Sequence, residues 1–401
     1  MSDWQECKLG NITSKIGSGA TPTGGENAYK PSGITLIRSQ NVHDFSFEPD
    51  GLVYLDKEQA DSLSNVDVKE NDILLNITGE SVTRCCLVPK SYLPARVNQH
   101  VSIIRPINTL ADYSFIFYYL HSIKPELNSL AEIGCTRRAL TKVMLEELPV
   151  PLPSLPEQRA IAAVLSCLDD KIGLLNRQNI TLEGLAETLW RKMFVEDADT
   201  LWKKGKLSDI CSKITKGTTP TTLKKDYVDN GINFIKVESI TDAGYFIPEK
   251  FAYIDGDTNK LLSRSIVEEN DIFYTIAGTI GRIAVATPEI LPANTNQAIA
   301  IIRLKDATLF LNYIRLLLKT SNIINDMNSK IVFAVQPNLS LGMISETDMQ
   351  IPDNRSLINF NRQSNSLFSK TRQNAIQIRT LSILRDSLLP KLMSGDVRVK
   401  M

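Results

Sequence analysis

Arg38-Ser39-Gln40-Asn41 is an unbroken run of hydrogen-bonding side chains that directly follows the apolar stretch Ile34–Ile37. Similar clusters recur along the chain. Ser18 and Thr21 sit in a glycine turn. Ser81, Thr83 and Arg84 follow Gly79. Arg96, Asn98, Gln99 and His100 follow Leu93-Pro94, and Thr136, Arg137 and Arg138 complete the first set. A second set comprises Lys216, Thr218 and Thr219; Lys236 and Glu238; Thr279 and Arg282; Asn294, Asn296 and Gln297; and Gln336 with Asn338. Arginine and lysine can bind guanine edges and phosphates, asparagine and glutamine match adenine, and hydroxyls hold phosphates. Each residue alone is an ordinary turn or surface residue. Polar clusters at five equivalent places make a set.

The chemistry that is missing narrows the reading. No GxxxxGK[ST] loop is present, and Gly17-Ser18-Gly19 falls short of a dinucleotide fingerprint. There is no [DNS]PP[YFW] stretch of the kind that holds a flipped base, no Asp followed by E-x-K after a proline, and no GxSxG. Six cysteines (Cys7, Cys85, Cys86, Cys135, Cys167 and Cys211) show no CxxC spacing, and His43, His100 and His121 lie far from any paired cysteines. The expectation is a chain with no catalytic residues, no metal and no cofactor of its own.

The elements that must position these loops are repeated. LGNITSKIGSGATP from Leu9 aligns with LSDICSKITKGTTP from Leu207. ITLIRSQNV, NDILLNITG and LPARVNQHVSIIR have counterparts INFIKVESI, NDIFYTIAG and LPANTNQAIAIIR in the same order, always about 198 residues on. This is a tandem duplication, and each copy is large enough for its own core. Within a copy, short β-like runs (34–37, 72–77, 101–104) and one helical segment near 110–130 make a mixed domain. After Pro149, Pro151, Pro153 and Pro156 the chain reads as a single helix over 157–194; a second runs from about 356 to 393. The predicted fold is α+β. Residues 1–152 and 199–352 form mixed α/β domains, with long helices in 153–198 and 353–401.

The first helix carries a 3.5-residue seam: Ile161, Leu165, Leu168, Ile172, Leu175, Asn179, Leu182, Ala186, Leu189 and Met193. In the second, Phe360, Leu367, Asn374, Ile378, Leu381, Leu388 and Leu392 share a seam filled in by Ser364, Thr371 and Arg385. The two seams predict that the helices pair as a coiled coil with Asn179 facing Asn374. Residues 353–401 hold nine basic and three acidic residues, although the whole chain is neutral, with 45 of each. A local patch, not bulk charge, must therefore meet any polyanion. No apolar run is long enough to span a membrane, and the N-terminus lacks a leader, so a cytoplasmic location is expected.

With LPSLPEQRAIAAVLSCLDDKI at the start of the first helix and LLPKLMSGDVRVK at the end of the second, the chain resembles the specificity subunit of type I restriction–modification systems. The second helix start, IPDNRSLINF, departs from the Pro-x-x-Glu-Gln pattern. The resemblance implies two target recognition domains, each reading half of a bipartite site in double-stranded DNA, and helices that pack antiparallel, set the spacing in a pseudo-twofold arrangement and dock the methyltransferase subunits. Its implied partners are two modification (methyltransferase) subunits, which perform S-adenosylmethionine-dependent adenine methylation, and an ATP-driven restriction subunit. The competing reading is a coiled-coil scaffold with duplicated protein-binding modules; a cryptic enzyme is third. Positions alike in both copies, such as Asn71-Asp72-Ile73, Asn98-Gln99 and Ile103-Ile104-Arg105, are expected to serve the shared frame. Positions that differ, such as Arg38/Lys236, Gln40/Glu238 and His100/Ala298, are expected to read sequence.

Overall fold

The computed structural model describes residues 4–22, 24–132, 138–330 and 338–400, and the chain divides into two units, Met1–Leu175 with Gln377–Met401 and Asn176–Ile376. In the first unit, strands Thr13–Ser18, Val101–Pro106, Ile73–Asn76 and Cys85–Leu87 lie side by side, all antiparallel. The runs in Ile73–Asn76, Cys85–Leu87 and 101–104 are nearly continuous in apolar residues because both faces are covered, whereas Thr13–Ser18 at the edge is mostly polar. Ile73, Leu75 and Ile104 join one core, while Leu74, Val101 and Ile103 join another, following the two-residue period of a strand. The second core is shared with a sheet ordered Val53–Leu55, Ile34–Ile37, Ala95–Val97, Asp67–Val68, in which Ile34–Ile37 and Ala95–Val97 run parallel.

The second unit repeats this plan. Cys211–Lys216, Ile299–Leu304, Ile272–Thr275 and Ile283–Val285 make the antiparallel sheet, and Ala252–Ile254, Ile232–Ile235 and Ala293–Thr295 the companion sheet. One polar device is kept in both. Asn71 and Asn270 adopt φ of 69° and 70°, a left-handed turn that asparagine tolerates. It places the next residue, Asp72 or Asp271, fully inside. Arg105 Nε and Nη2 donate to Asp72 at 2.6 Å each, and Arg303 donates to Asp271 at 2.8 and 2.7 Å. A buried carboxylate needs such a two-pronged partner.

The long helices are Leu155–Arg191 and Asn354–Met393, the first followed by a π-helical turn, Lys192–Glu196. The segment predicted as one helix near 110–130 is two, Tyr113–Ser122 and Lys124–Glu132. Pro125 explains the break, since it lacks an N–H and crowds the preceding turn. In the first unit Phe115 and Ile116 pack with Ile161, Leu165, Leu389 and Leu392. In the second, Tyr313 and Ile314 pack with Trp190, Phe194, Leu357 and Phe360.

The Pro-x-x-Glu-Gln element has a visible purpose. Gln158 is 1% exposed; its Oε1 accepts from Asp112 N at 2.8 Å and its Nε2 donates to the Pro153 carbonyl at 2.9 Å. It thereby ties the start of the long helix to the start of Tyr113–Ser122. The second copy places buried Leu357 in the corresponding turn, and Asn361 takes over, its Nδ2 donating to the Thr308 and Leu309 carbonyls at 3.0 and 2.8 Å.

Every seam position is buried or half-buried. In the second unit Asn374 Nδ2 donates to Asn179 Oδ1 at 2.8 Å. In the first, Arg385 Nη1 and the Tyr118 hydroxyl both donate to Asp169, at 2.8 and 2.7 Å. Burial opposes the Arg385 charge, yet its bonds to Asp169 and Asp386 hold its pKa above the ordinary value. Its guanidinium lies 3.7 Å from the Phe45 ring centre, and that ring stacks on His121 at 3.7 Å.

Candidate nucleic-acid interface

Backbone bonds gather the polar loops of each copy at one end of its sheets. In the first copy Gly19 N donates to the Asn98 carbonyl at 3.1 Å, Ile77 N to His100 at 2.9 Å, and Gly79 N to Arg138 at 3.2 Å. Asn98 N in turn donates to the Ile37 carbonyl at 3.0 Å, next to Arg38. The second copy makes a similar set: Gly217 to Asn296 at 3.1 Å, Ile276 to Ala298 at 2.8 Å and Leu339 to Ile276 at 2.9 Å, the last matching Leu140 to Ile77 at 2.8 Å in the first. The turn at 18–21, residue 38, and the loops at 78–84, 98–100 and 138 therefore form one neighbourhood, as do their counterparts.

Within it, several candidates present free polar groups. Gln99 and Gln297 are exposed. Arg84, Lys216, Thr279 and Asn338 make no side-chain hydrogen bond or ion pair among the described residues, and Ser18 is half-buried at a strand end. Arg38 lies 5.6 Å from the Tyr29 ring centre, and Lys236 lies 4.7 Å from that of Tyr227 at the equivalent place. Burial, then Glu238, raises the Tyr227 pKa, which keeps the ring a neutral platform for the cation. The loop reading missed these tyrosines; their identical spacing from Arg38 and Lys236 was the available signal. Arg38 also donates to the Gly51 carbonyl, as does Gln40 at 3.3 Å. Glu238 sits 3.8 Å from Lys236.

The His100 ring contacts Thr78 and, at 3.2 Å, Gln99 Nε2. Thr78 was overlooked by the loop reading; the copies differ there, threonine against Ala277, a difference of the kind expected at reading positions. Thr21 and Thr219 donate to Gln99 and Gln297 respectively, and Thr218 accepts from Arg264 at 3.3 Å. Ser81 accepts from Asn76 at 3.1 Å. Asn98 and Asn296 use Oδ1 to accept the backbone N–H two residues on, at 3.1 Å in both copies.

Six candidates are engaged by partners within their own domain, which takes their polar groups away from the tip. Asn41 is fully buried, accepting from Arg38 N and donating to the Glu48 and Asp50 carbonyls. Thr83 donates to Asn128. Arg96 bridges Asp67 and the Ala60 carbonyl. Asn294 joins Asn259, Ser265 and the Leu262 carbonyl. Arg282 is tied to Asp242 and to the Val237 and Ile240 carbonyls, and Asn98 is 5% exposed. A buried polar group must find partners, and these found them locally. Arg138 is half-buried, donating to Asn128 at 2.8 Å and lying 3.3 Å from Glu132. Thr136, Arg137 and Gln336 lie outside the described residues.

Among the described residues no cluster of three or more His, Cys, Asp or Glu is placed to hold a metal, and no helix is long and apolar enough to cross a membrane.

Comparison with known proteins gives a consistent family. Residues 1–184 and 200–356 both match the family described as type I restriction modification DNA specificity domain. The chain is 25% identical over 431 residues to the MjaIX type I restriction enzyme specificity subunit of Methanocaldococcus jannaschii, covering 99% of this chain and 94% of the relative. It is 21% identical over 480 residues to the HindI specificity subunit of Haemophilus influenzae, covering 99% and 100%. In fold it is similar to the crystal structure of a type I restriction–modification S subunit from M. genitalium, with TM-score 0.60, 17% identity and coverage of 100% and 97%.

Proposed function

Because this chain belongs to the type I restriction–modification DNA specificity family, we propose that it is the specificity subunit of such a complex, with each mixed domain reading one half of a bipartite site in double-stranded DNA. The observation that carries the reading is a frame built twice with differently furnished tips. Asp72–Arg105 and Asp271–Arg303 hold equivalent frames, while Arg38, His100 and Arg84 at one tip give way to Lys236, Ala298 and a tethered Arg282 at the other. Two copies of one frame with different donors and acceptors suit two different half-sites.

Residues 1–152 and 199–352 are the reading domains, and 153–198 and 353–401 form the spacer. Contacts support antiparallel pairing of the spacer helices. Asp169 meets Arg385, Asn179 meets Asn374, and Phe194 meets Phe360, so numbers rise along one helix as they fall along the other. A 37-residue helix is about 55 Å long, more than one turn of DNA. Each repeat docks one methyltransferase subunit, a restriction subunit joins the assembly, and the partners supply all catalysis in the cytoplasm. The neutral chain binds DNA weakly alone, since phosphate neutralisation is shared with its partners.

Exchanging residues 1–152 for the corresponding domain of another family member tests this. Mapping methylated adenines across the genome should show one half-site changed and the other retained. Loss of all methylation in a folded exchange variant, or an unchanged site, would count against it.

A further inference from the structure

The polar tips hold one element that does not vary between the copies. Gly19 and Gly217 press so closely on the strands that an added Cβ would lie 1.8 Å from the Val97 carbonyl and 1.7 Å from that of Thr295. Only glycine allows that approach. Two residues on, the Thr21 and Thr219 hydroxyls donate to the amide oxygens of Gln99 and Gln297. Each glutamine is the middle residue of an Asx turn, closed by Asn98 or Asn296 accepting the next backbone N–H at 3.1 Å. Close-packed glycine, orienting hydroxyl and Asx turn are thus built twice around a side chain that stays exposed.

A frame residue would be expected inside, as Asn98 is. Gln99 and Gln297 instead carry an oriented amide outward: the oxygen is fixed by threonine, and the Nε2 donors are aimed by default. A held carboxamide is the group that pairs with adenine N6 and N7 in the major groove. We infer that Gln99 and Gln297 read the same base, an adenine, at equivalent positions of the two half-sites, while the residues around them read what differs. The inference rests on the specificity-subunit reading above and adds a base assignment to it.

The first copy adds a relay that the second lacks. Gln99 Nε2 meets His100 Nε2 at 3.2 Å, and the far side of that ring meets Thr78; Ala298 and Ala277 stand at the equivalent places. With the Gln99 oxygen facing Thr21, His100 Nε2 must accept and Nδ1–H must donate to Thr78. Gln99 is therefore held at both ends and Gln297 at one.

The test uses the complex of the full chain with its methyltransferase subunit, and maps methylated sites for the wild type and for Gln99→Ala, Gln297→Ala and Gln99→Glu. In the wild type, both half-sites should contain an adenine at matching positions. Each alanine variant should lose about ten- to a hundredfold discrimination at that single position of its own half-site, with other positions kept. Gln99→Glu, nearly the same size, should shift the preference toward cytosine, whose N4 donates to a carboxylate. Uniform weakening at every position, or an unchanged site in all three variants, would show that these glutamines only pin the glycine turn and would overturn the inference. A wild-type complex lacking any bipartite site would overturn the underlying reading, and the inference with it.

Discussion

The two copies solve the same interior problem with different residues. Arg96 and Asn294 occupy equivalent strand positions, and each reaches back to the short helix before it. Arg96 does so through the Ala60 carbonyl and also pairs with Asp67, and Asn294 does so through Asn259 and the Leu262 carbonyl and also meets Ser265. Asn41 and Ser239 likewise hold the same tight turn with different atoms. By contrast, Asp72–Arg105 and Asp271–Arg303 are unchanged. The lesson concerns what a frame constrains. A neutral polar contact can be rebuilt from any donors and acceptors of suitable reach. A fully buried carboxylate has far fewer solutions, because its charge must be met by a matching fork.

That contrast gives the largest expected effect. Asp72→Ala strands a partly buried guanidinium and should destabilise its own unit by about 3–5 kcal/mol, and Asp271→Ala, which leaves Arg303 only the exposed Glu268 carboxylate, should cost as much or slightly less. The two losses should be similar in denaturant titrations of the full chain. A difference of more than about 2 kcal/mol between them would break the equivalence of the frames.

The copies differ in acid sensitivity. Burial pushes the His121 pKa down to about 3; Asp44 opposes this, while Lys124 and Arg385 add to it. The second copy has Arg315 at this place, 3.9 Å from the Phe368 ring centre. An unfolded histidine takes up a proton below about pH 6.5, whereas the folded one resists until about pH 3, so stability is lost as pH falls through that window. The first unit should therefore weaken by up to about 3 kcal/mol between pH 7 and 4 from this group. His121→Phe should flatten that slope. An equal slope in the variant would assign the acid sensitivity elsewhere.

The helix starts differ more gently. Gln158→Ala leaves Asp112 N without its partner, and Asn361→Ala does the same to two carbonyls. Each should cost about 1–3 kcal/mol in the unit concerned. If only Gln158→Ala has an effect, Asn361 does not replace it.

How much of this was legible follows from periodicity. The duplication, the strands at 34–37 and the long helices stand close to where repeats and apolar spacing put them, since both signals survive in a single sequence. The break at Ile123 was missed because a continuous apolar run hid the proline behind it. The tips were legible only as neighbourhoods. Whether Asn41 turns inward or Gln99 outward depends on backbone groups tens of residues away that need partners, and no local pattern encodes that. Grouping Asn98 with Gln99 as frame joined a buried residue to an exposed neighbour.

The smallest effect concerns the polar break in the seam of the second unit. Asn374 donates to Asn179 and, at 2.9 Å, to Gln178, yet its own Oδ1 is buried without a partner. Asn179 Nδ2 reaches the Thr371 carbonyl only at 3.5 Å, at the edge of a hydrogen bond. Such a pair costs stability and marks register. Replacing Asn374 alone by leucine removes one orphan and creates another on Asn179, so it should lower stability by about 1 kcal/mol. Replacing both by leucine should restore or exceed the parent, because the desolvated amides vanish together. The pair, unlike Asp169–Arg385, would then prove dispensable for folding. Its remaining role would be to choose one alignment of two otherwise slippery seams, and that is read from the methylated site. A double-leucine variant with tolerated spacings of more than one length identifies the asparagines as the register mark, and a single unchanged spacing assigns that task to the flanking contacts.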